Sequence, residues 1–369
     1  MSNDRFSYER WLTPYPLKPE EERDPLGPAI DPLDLELFTP EQQKFIKRRI
    51  ALQAPDIRTI ARKDLATYFQ RNKGVNMSLL ILTFVFQYLV RFRKGTAPSV
   101  RGNIRSFWYR YLARTLERLG LLDEPGGLRV SLAAKRSKQY LKIMENSFET
   151  LFLQKFFRYK DLDIFFHRER FCKLGREHKR HLFYIEKEGL FWFCNAMHDR
   201  HSLHVYASRG TASWLDVDYL ANFILQLKVR NLYIACLTDY DPWGFHIANH
   251  IRDKFMAPVF NFRSIHMDVL TDLSLFDPKV IQAEKRYLLK GHEKPDDPIQ
   301  LIVEKWVEQG GGIDGKPYGL HIDHADYQKR VPDKVRRWLR GEHRPAVTDF
   351  TIPKKLWRAA CRLMKEGDA

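Results

Sequence analysis

A chain of 369 residues with 62 Lys and Arg against 46 Asp and Glu, formally +16, is long enough for two or three domains and points to a polyanionic partner. Its four cysteines, Cys172, Cys194, Cys236 and Cys361, are far apart and form no C-x-x-C pair, which argues against a zinc site and a disulfide scaffold. Residues 1–30 lack the apolar stretch of a signal peptide, so the expected location is intracellular, cytoplasmic or nucleoid-associated.

In chain order, residues 1–41 hold 7 of the 19 prolines and the acidic run Glu20-Glu21-Glu22, which reads equally as an extended arm or a disordered tail. Thr39-Pro40-Glu41-Gln42 supplies a cap and first turn before Phe45 and Ile46, and opens a run of helices to about residue 120. Inside that run, residues 79–90 form the one candidate membrane segment. They include Thr83 and Gln87, run straight into Arg91 and Arg93, and fall short of the roughly 20 residues a span needs, so a buried helix is expected. Residues 121–131, with Pro125-Gly126-Gly127, fit a short hairpin or wing. The helical region is therefore bounded at 42–135, and 136–178 is taken as a connection.

From 179 onward the pattern alternates. The apolar run Leu182-Phe183-Tyr184-Ile185 predicts a strand, and residues 202–208 set Leu203, Val205 and Ala207 against His204 and Tyr206. Residues 214–229 carry helical spacing in Leu215, Tyr219, Leu220, Ile224 and Leu227. Leu232-Tyr233-Ile234-Ala235-Cys236-Leu237 is a further strand, 245–255 an amphipathic helix and 259–267 another strand. Such an order predicts α/β architecture with a mostly parallel sheet, the domain running over 179–369 with a C-terminal extension. In that extension Gly310-Gly311-Gly312 and Asp314-Gly315 predict a flexible loop without phosphate-binding spacing. Basic stretches at 168–180 and 329–344 would make binding to a polyanion strongly salt-dependent.

Two of the predicted strands stop on carboxylates. The first ends in Glu186-Lys187-Glu188-Gly189 and the second in Thr238-Asp239-Tyr240-Asp241-Pro242-Trp243-Gly244. Carboxylates at i and i+2 after a buried strand place their oxygens at one rim of a sheet, where a hard divalent cation can be held. The competing reading is a helix N-cap, with Pro242 at the first helical position. His246 with His250, and His321 with His324, invite a zinc reading, but neither pair comes with a third ligand pattern.

The two acidic elements resemble the motifs of the Toprim domain, in the form found in the A subunit of DNA topoisomerase VI and the related meiotic double-strand-break proteins. The resemblance covers about 181–255, recurs locally at 101–112, and is faint elsewhere. It implies that Glu186, Asp239 and Asp241 bind Mg²⁺, with Lys187 as a possible added positive contact. Ile104-Arg105-Ser106-Phe107-Trp108-Tyr109-Arg110 resembles the family's Arg-x-aliphatic-Tyr-Tyr motif, which implies that Tyr109 is the nucleophile. Trp108 stands where the family usually has a first tyrosine, Ser106 where an acidic residue is common, and Tyr111 is a rival for the role. Arg105, one turn before Tyr109, could stabilise a phenolate or bind the scissile phosphate. Helices closed by a wing likewise resemble the winged-helix domain in which the family keeps its tyrosine.

By this resemblance the chain is a homodimeric transesterase acting on double-stranded DNA. It would make Mg²⁺-dependent double-strand breaks through a 5′-phosphotyrosyl link, Tyr109 of one subunit meeting the carboxylates of the other. The chain has no ATPase signature, so ATP-driven strand passage would need a separate GHKL-type B subunit. Two alternatives stay open: a Toprim nuclease that hydrolyses DNA without a tyrosyl intermediate, and a non-catalytic DNA-binding or assembly protein whose carboxylates only cap helices.

Overall fold

The computed structural model describes residues 30–71, 74–100, 102, 104–122, 135–164, 171–208, 210–323, 327–342 and 350–366. Most of the Pro-rich segment, most of the expected wing, His324 and residues 168–170 and 343–344 of the basic stretches lie outside these. The chain divides into two compact units, one over Met1–Ser99 and Phe107–Leu151, the other over Val100–Ser106 and Phe152–Ala369.

The first unit is mainly helical. Helix α1 (Pro40–Arg49) opens on the expected signal: Thr39 accepts from the Gln42 amide while the Gln42 side chain accepts from the Thr39 amide, a reciprocal capping box. Short helix α2 (Leu65–Phe69) leads into a two-residue hairpin, β1 (Gln70–Arg71) against β2 (Gly74–Val75). Helix α3 (Met77–Arg93) is buried on every side from Leu80 to Val90, as expected of a core helix too short to span a bilayer. Its two interior polar side chains are satisfied by backbone. Gln87 accepts from the Ile57 amide at 3.1 Å and donates to Pro55 O at 2.9 Å, and Thr83 accepts from the Ala51 amide. At its C-terminal end Arg91 and Arg58 share the buried carboxylate of Asp56. Beyond it come the last residue of α4 (Ile104–Phe107), whose first three belong to the second unit, a π-helical turn (Trp108–Leu112), α5 (Ala113–Arg118) and α6 (Lys135–Leu153).

The second unit is mixed α/β around a five-stranded, mostly parallel sheet. Its strands are β3 (Phe171–Lys173), β4 (His178–Ile185), β5 (Leu203–Ala207), β6 (Asn231–Leu237) and β7 (Ser264–Val269), in the order β3-β5-β4-β6-β7. β4 pairs in parallel with β5 and β6, and β6 with β7, while β3 is an antiparallel edge. The crossovers are α7 (Phe191–His201), α8 (Trp214–Gln226) and α9 (Pro242–Phe255). Three expectations shift. β4 begins four residues earlier than its apolar run, and β7 starts at Ser264 rather than 259, because Val259 and Phe260 are buried in the turn after α9, where the Phe260 amide donates to Ala257 O. β5 does not alternate between buried and exposed. His204 and Tyr206 are as buried as Leu203, Val205 and Ala207, with His204 Nδ1 accepting from the Gly175 amide and its Nε2 facing Lys179 O.

The C-terminal part adds α10 (Pro278–Glu284), β8 (Arg286–Tyr287), α11 (Pro298–Glu308), β9 (Tyr318–Gly319), α12 (Tyr327–Leu339) and α13 (Lys354–Glu366). β8 and β9 form a two-stranded ribbon. The glycine loop is packed rather than loose: Gly311 lies against the Trp306 ring, and Gly312 O accepts from the Tyr240 hydroxyl at 2.9 Å. Among the described residues no helix is long and apolar enough to cross a membrane.

Candidate active site at the strand ends

The parallel register sets Ile185 of β4 beside Leu237 of β6, so the residues following them are neighbours. The Glu186 amide donates to Leu237 O at 3.1 Å, and the Asp239 amide donates to the Glu186 carboxylate at 3.0 Å. On the far side Thr271 fixes the same strand end, accepting from the Thr238 amide at 3.1 Å and donating to Thr238 O at 2.6 Å. Two carboxylates are thereby held at one rim of a parallel sheet, the place where open α/β sheets gather ligands.

Asp241 serves as the N-cap of α9. Its Oδ1 accepts from the Gly244 amide at 2.8 Å, with Pro242 at the first helical position. The glycine is needed because a Cβ at 244 would stand 2.1 Å from Asp239 O. Tyr240, between the two aspartates, is buried against Trp306 and exchanges backbone hydrogen bonds with Leu320; burial pushes its phenol up to about 12. Capping does not use up Asp241, whose second oxygen accepts from Arg286 of β8.

Arg286 is one of several groups from the C-terminal part that reach this rim and that no local pattern announced. Asp239 Oδ1 accepts from the Ile322 amide at 3.0 Å. Its Oδ2 meets His321 Nδ1 at 3.0 Å, Lys187 Nζ at 3.2 Å and Arg286 Nη2 at 3.8 Å. Lys187 also donates to Asp323 at 2.9 Å. Burial acts against its charged form, but the bonds to Asp323 and Asp239 outweigh that and hold its pKa above the ordinary value. Burial raises Glu186 to about 7, with the nearby Asp239 and Asp241 charges adding to it, and burial also raises Asp241.

Of the three carboxylates, that of Glu186 accepts from the Asp239 backbone amide, that of Asp239 is engaged by the Ile322 amide, His321 and Lys187, and that of Asp241 is turned to its cap and to Arg286. Among the described residues, no group of three His, Cys, Asp or Glu side chains stands ready to hold a cation. The donor chemistry nevertheless fits a hard cation. Carboxylate oxygens crowded at one rim, one of them on a carboxyl whose proton affinity is raised by burial and by the neighbouring charges, are the ligands such an ion prefers. His246 and His250 are engaged elsewhere: His246 stacks on Trp357 at 4.1 Å, and burial lowers the pKa of both, that of His250 to about 4.

The tyrosines belong to the first unit. Across the π turn the Ala113 amide reaches back to Trp108 O. Trp108 is fully buried, and Tyr109 is 43% exposed. Tyr111 packs on Tyr88 and Phe107, with ring centroids at 5.5 and 5.2 Å, and burial raises its pKa. Arg105, in the second unit, is exposed. Compared with known proteins, the chain matches no family model and no curated protein.

Proposed function

We propose that this protein is a DNA-cleaving transesterase resembling the A subunit of topoisomerase VI, with a Toprim-like second unit and a winged-helix-like first unit. The observation that carries the reading is the Glu186 carboxylate accepting from the Asp239 backbone amide at adjacent parallel strand ends, with Asp241, the cap of α9, two residues on. Exposure of Tyr109 beside a buried Trp108 supports it as the nucleophile.

In the reaction the Tyr109 hydroxyl gives up its proton and its oxygen attacks phosphorus. The 3′-oxygen leaves and takes up a proton, so the broken phosphodiester is kept as a 5′-phosphotyrosyl ester and can be resealed without another energy source. A phenol ordinarily ionises near pH ~10, so its activation needs a nearby positive charge or base, the task assigned to Arg105. Glu186, Asp239 and Asp241 would hold Mg²⁺, which when bound neutralises charge on the phosphoryl oxygens. The active form would be a homodimer on double-stranded DNA, working with a GHKL-type ATPase subunit where strand passage is driven.

Incubation with duplex DNA and Mg²⁺ followed by denaturation should trap a covalent protein–DNA adduct that Tyr109→Phe abolishes. Cleavage that yields free 5′-phosphate ends and survives Tyr109→Phe, but not Asp239→Ala, would select the hydrolytic nuclease instead. Engagement of Asp239 and Asp241 by Lys187, His321 and Arg286 favours a second reading, a non-catalytic DNA-binding protein whose acidic rim is a structural ion-pair network. Metal-dependent cleavage lost in Asp239→Ala would exclude it.

A further inference from the structure

Arg286 is placed in an unusual way for a structural ion-pair partner. It sits on the ribbon of β8 and β9 directly opposite Gly319, where a Cβ would come within 3.1 Å of the Asp241 Cβ, so the glycine lets the ribbon lie close over the acidic turn. One Nη of the guanidinium contacts the buried Asp241 and is 3.8 Å from Asp239, while Nε is buried with no acceptor. A planar fork made for two parallel hydrogen bonds is therefore only partly used. The side chain is nonetheless 39% exposed, against 3% for Asp241. Its neighbours on the ribbon suit a nucleotide: Lys285 and Tyr287 are exposed, Tyr287 packs edge-on to Tyr318 at 5.7 Å, and the Lys285 ammonium lies 5.0 Å from the Tyr318 ring.

We infer that Arg286 is a phosphate-binding residue that holds Asp241 only until DNA arrives, and that it competes with a divalent cation for that carboxylate. The inference rests on the proposed metal-dependent cleavage of DNA. A phosphodiester offers the guanidinium two oxygens in bidentate geometry and meets the Nε that Asp241 leaves unpaired. Transfer of Arg286 to the phosphate frees the outer oxygen of Asp241, so DNA and cation bind cooperatively, each raising the affinity of the other by the same factor. Without DNA, the chain's own cation keeps the acidic rim neutral and its affinity for metal low.

The test is Mn²⁺ binding, followed by electron paramagnetic resonance, to the full-length Tyr109→Phe protein with and without a short DNA duplex. The parent binds Mn²⁺ weakly alone and about tenfold more tightly with duplex. Adding Arg286→Gln gives the tighter binding without DNA and removes most of the DNA effect, since a unit charge is lost beside the carboxylates. Arg286→Lys keeps the charge and stays near the parent. A residue that merely holds the turn together would weaken Mn²⁺ binding when replaced, the opposite sign. If Arg286→Gln binds no tighter than the parent, at a site that Asp239→Asn removes, the competition is refuted while the metal centre stands. If no Mn²⁺ binding depends on Asp239 with or without duplex, the cleavage reading falls and takes the inference with it.

Discussion

Glu186→Gln should stabilise the protein at alkaline pH and change it little at acid pH. Burial, with Asp239 and Asp241 adding to it, raises the Glu186 carboxyl from 4.5 to about 7, so the fold binds this proton more tightly than the unfolded chain does. A raised carboxylate pKa lowers stability as pH rises. Nothing is lost below about pH 4.5, the loss builds from there to about 7, and it is complete above. That interval corresponds to roughly 3 kcal/mol, and partial exposure to solvent reduces it to about 2 kcal/mol. Gln cannot ionise and keeps an oxygen to accept from the Asp239 amide, so it removes the cost without removing the bond. Urea unfolding in EDTA at about pH 5 and about pH 8 measures the difference between variant and parent at each. The variant's advantage should grow by about 2 kcal/mol between the two, and Mg²⁺ at the higher pH should stabilise the parent selectively. A difference that is the same at both pH values, or that reverses sign, would refute the account of Glu186 as a carboxyl made hard to ionise by burial and by the neighbouring aspartates.

Gly244→Ala should cost about 2 kcal/mol or more, because the new methyl would stand 2.1 Å from Asp239 O and displace the acidic turn; an unchanged melting temperature shows that the turn has room. Asp218→Ala should cost about 3 kcal/mol in urea unfolding. It strips the fully buried carboxylate that Arg158 pairs with and that accepts from the Tyr159 amide at 3.0 Å, so a loss near zero would mean the pair is dispensable.

The centre of the sheet was legible because apolar strands ending on carboxylates leave a local trace, and β4 and β6 are such strands. β3 left none: three residues, Phe171-Cys172-Lys173, are too few for any periodicity, and their place at the edge depends on pairing with β5. β5 was misread in its burial because His204 satisfies its ring on Gly175 and Lys179, and Tyr206 stacks on Tyr184 at 5.8 Å, partners that alternation cannot reveal. The same holds more strongly at the acidic rim. Arg286, His321 and Ile322 lie 45 to 83 residues from the aspartates they contact, on or beside strands only two residues long. The one sequence clue was indirect. Carboxylates crowded at the end of a buried strand require countercharge, without indicating which distant cation supplies it.

For the proposed cleavage, the π turn favours Tyr109 over Tyr111. A turn with one residue more than an α-turn lets Phe107 and Trp108 at its start and Leu112 and Ala113 at its end all face the core, while Tyr109 and Arg110 within it are carried outward. Trp108 therefore belongs to the packing of the first unit, and its indole nitrogen, buried with no acceptor, shows that this position is built for bulk and not for a polar group. Tyr111 would have to leave Tyr88 and Phe107 to present its hydroxyl, and burial makes that hydroxyl harder to ionise. Tyr109 reaches solvent with no such rearrangement. An adduct mapped to Tyr111 would therefore imply that the aromatic cluster around Phe107 opens before cleavage, and that the outward turn serves something other than nucleophilic attack.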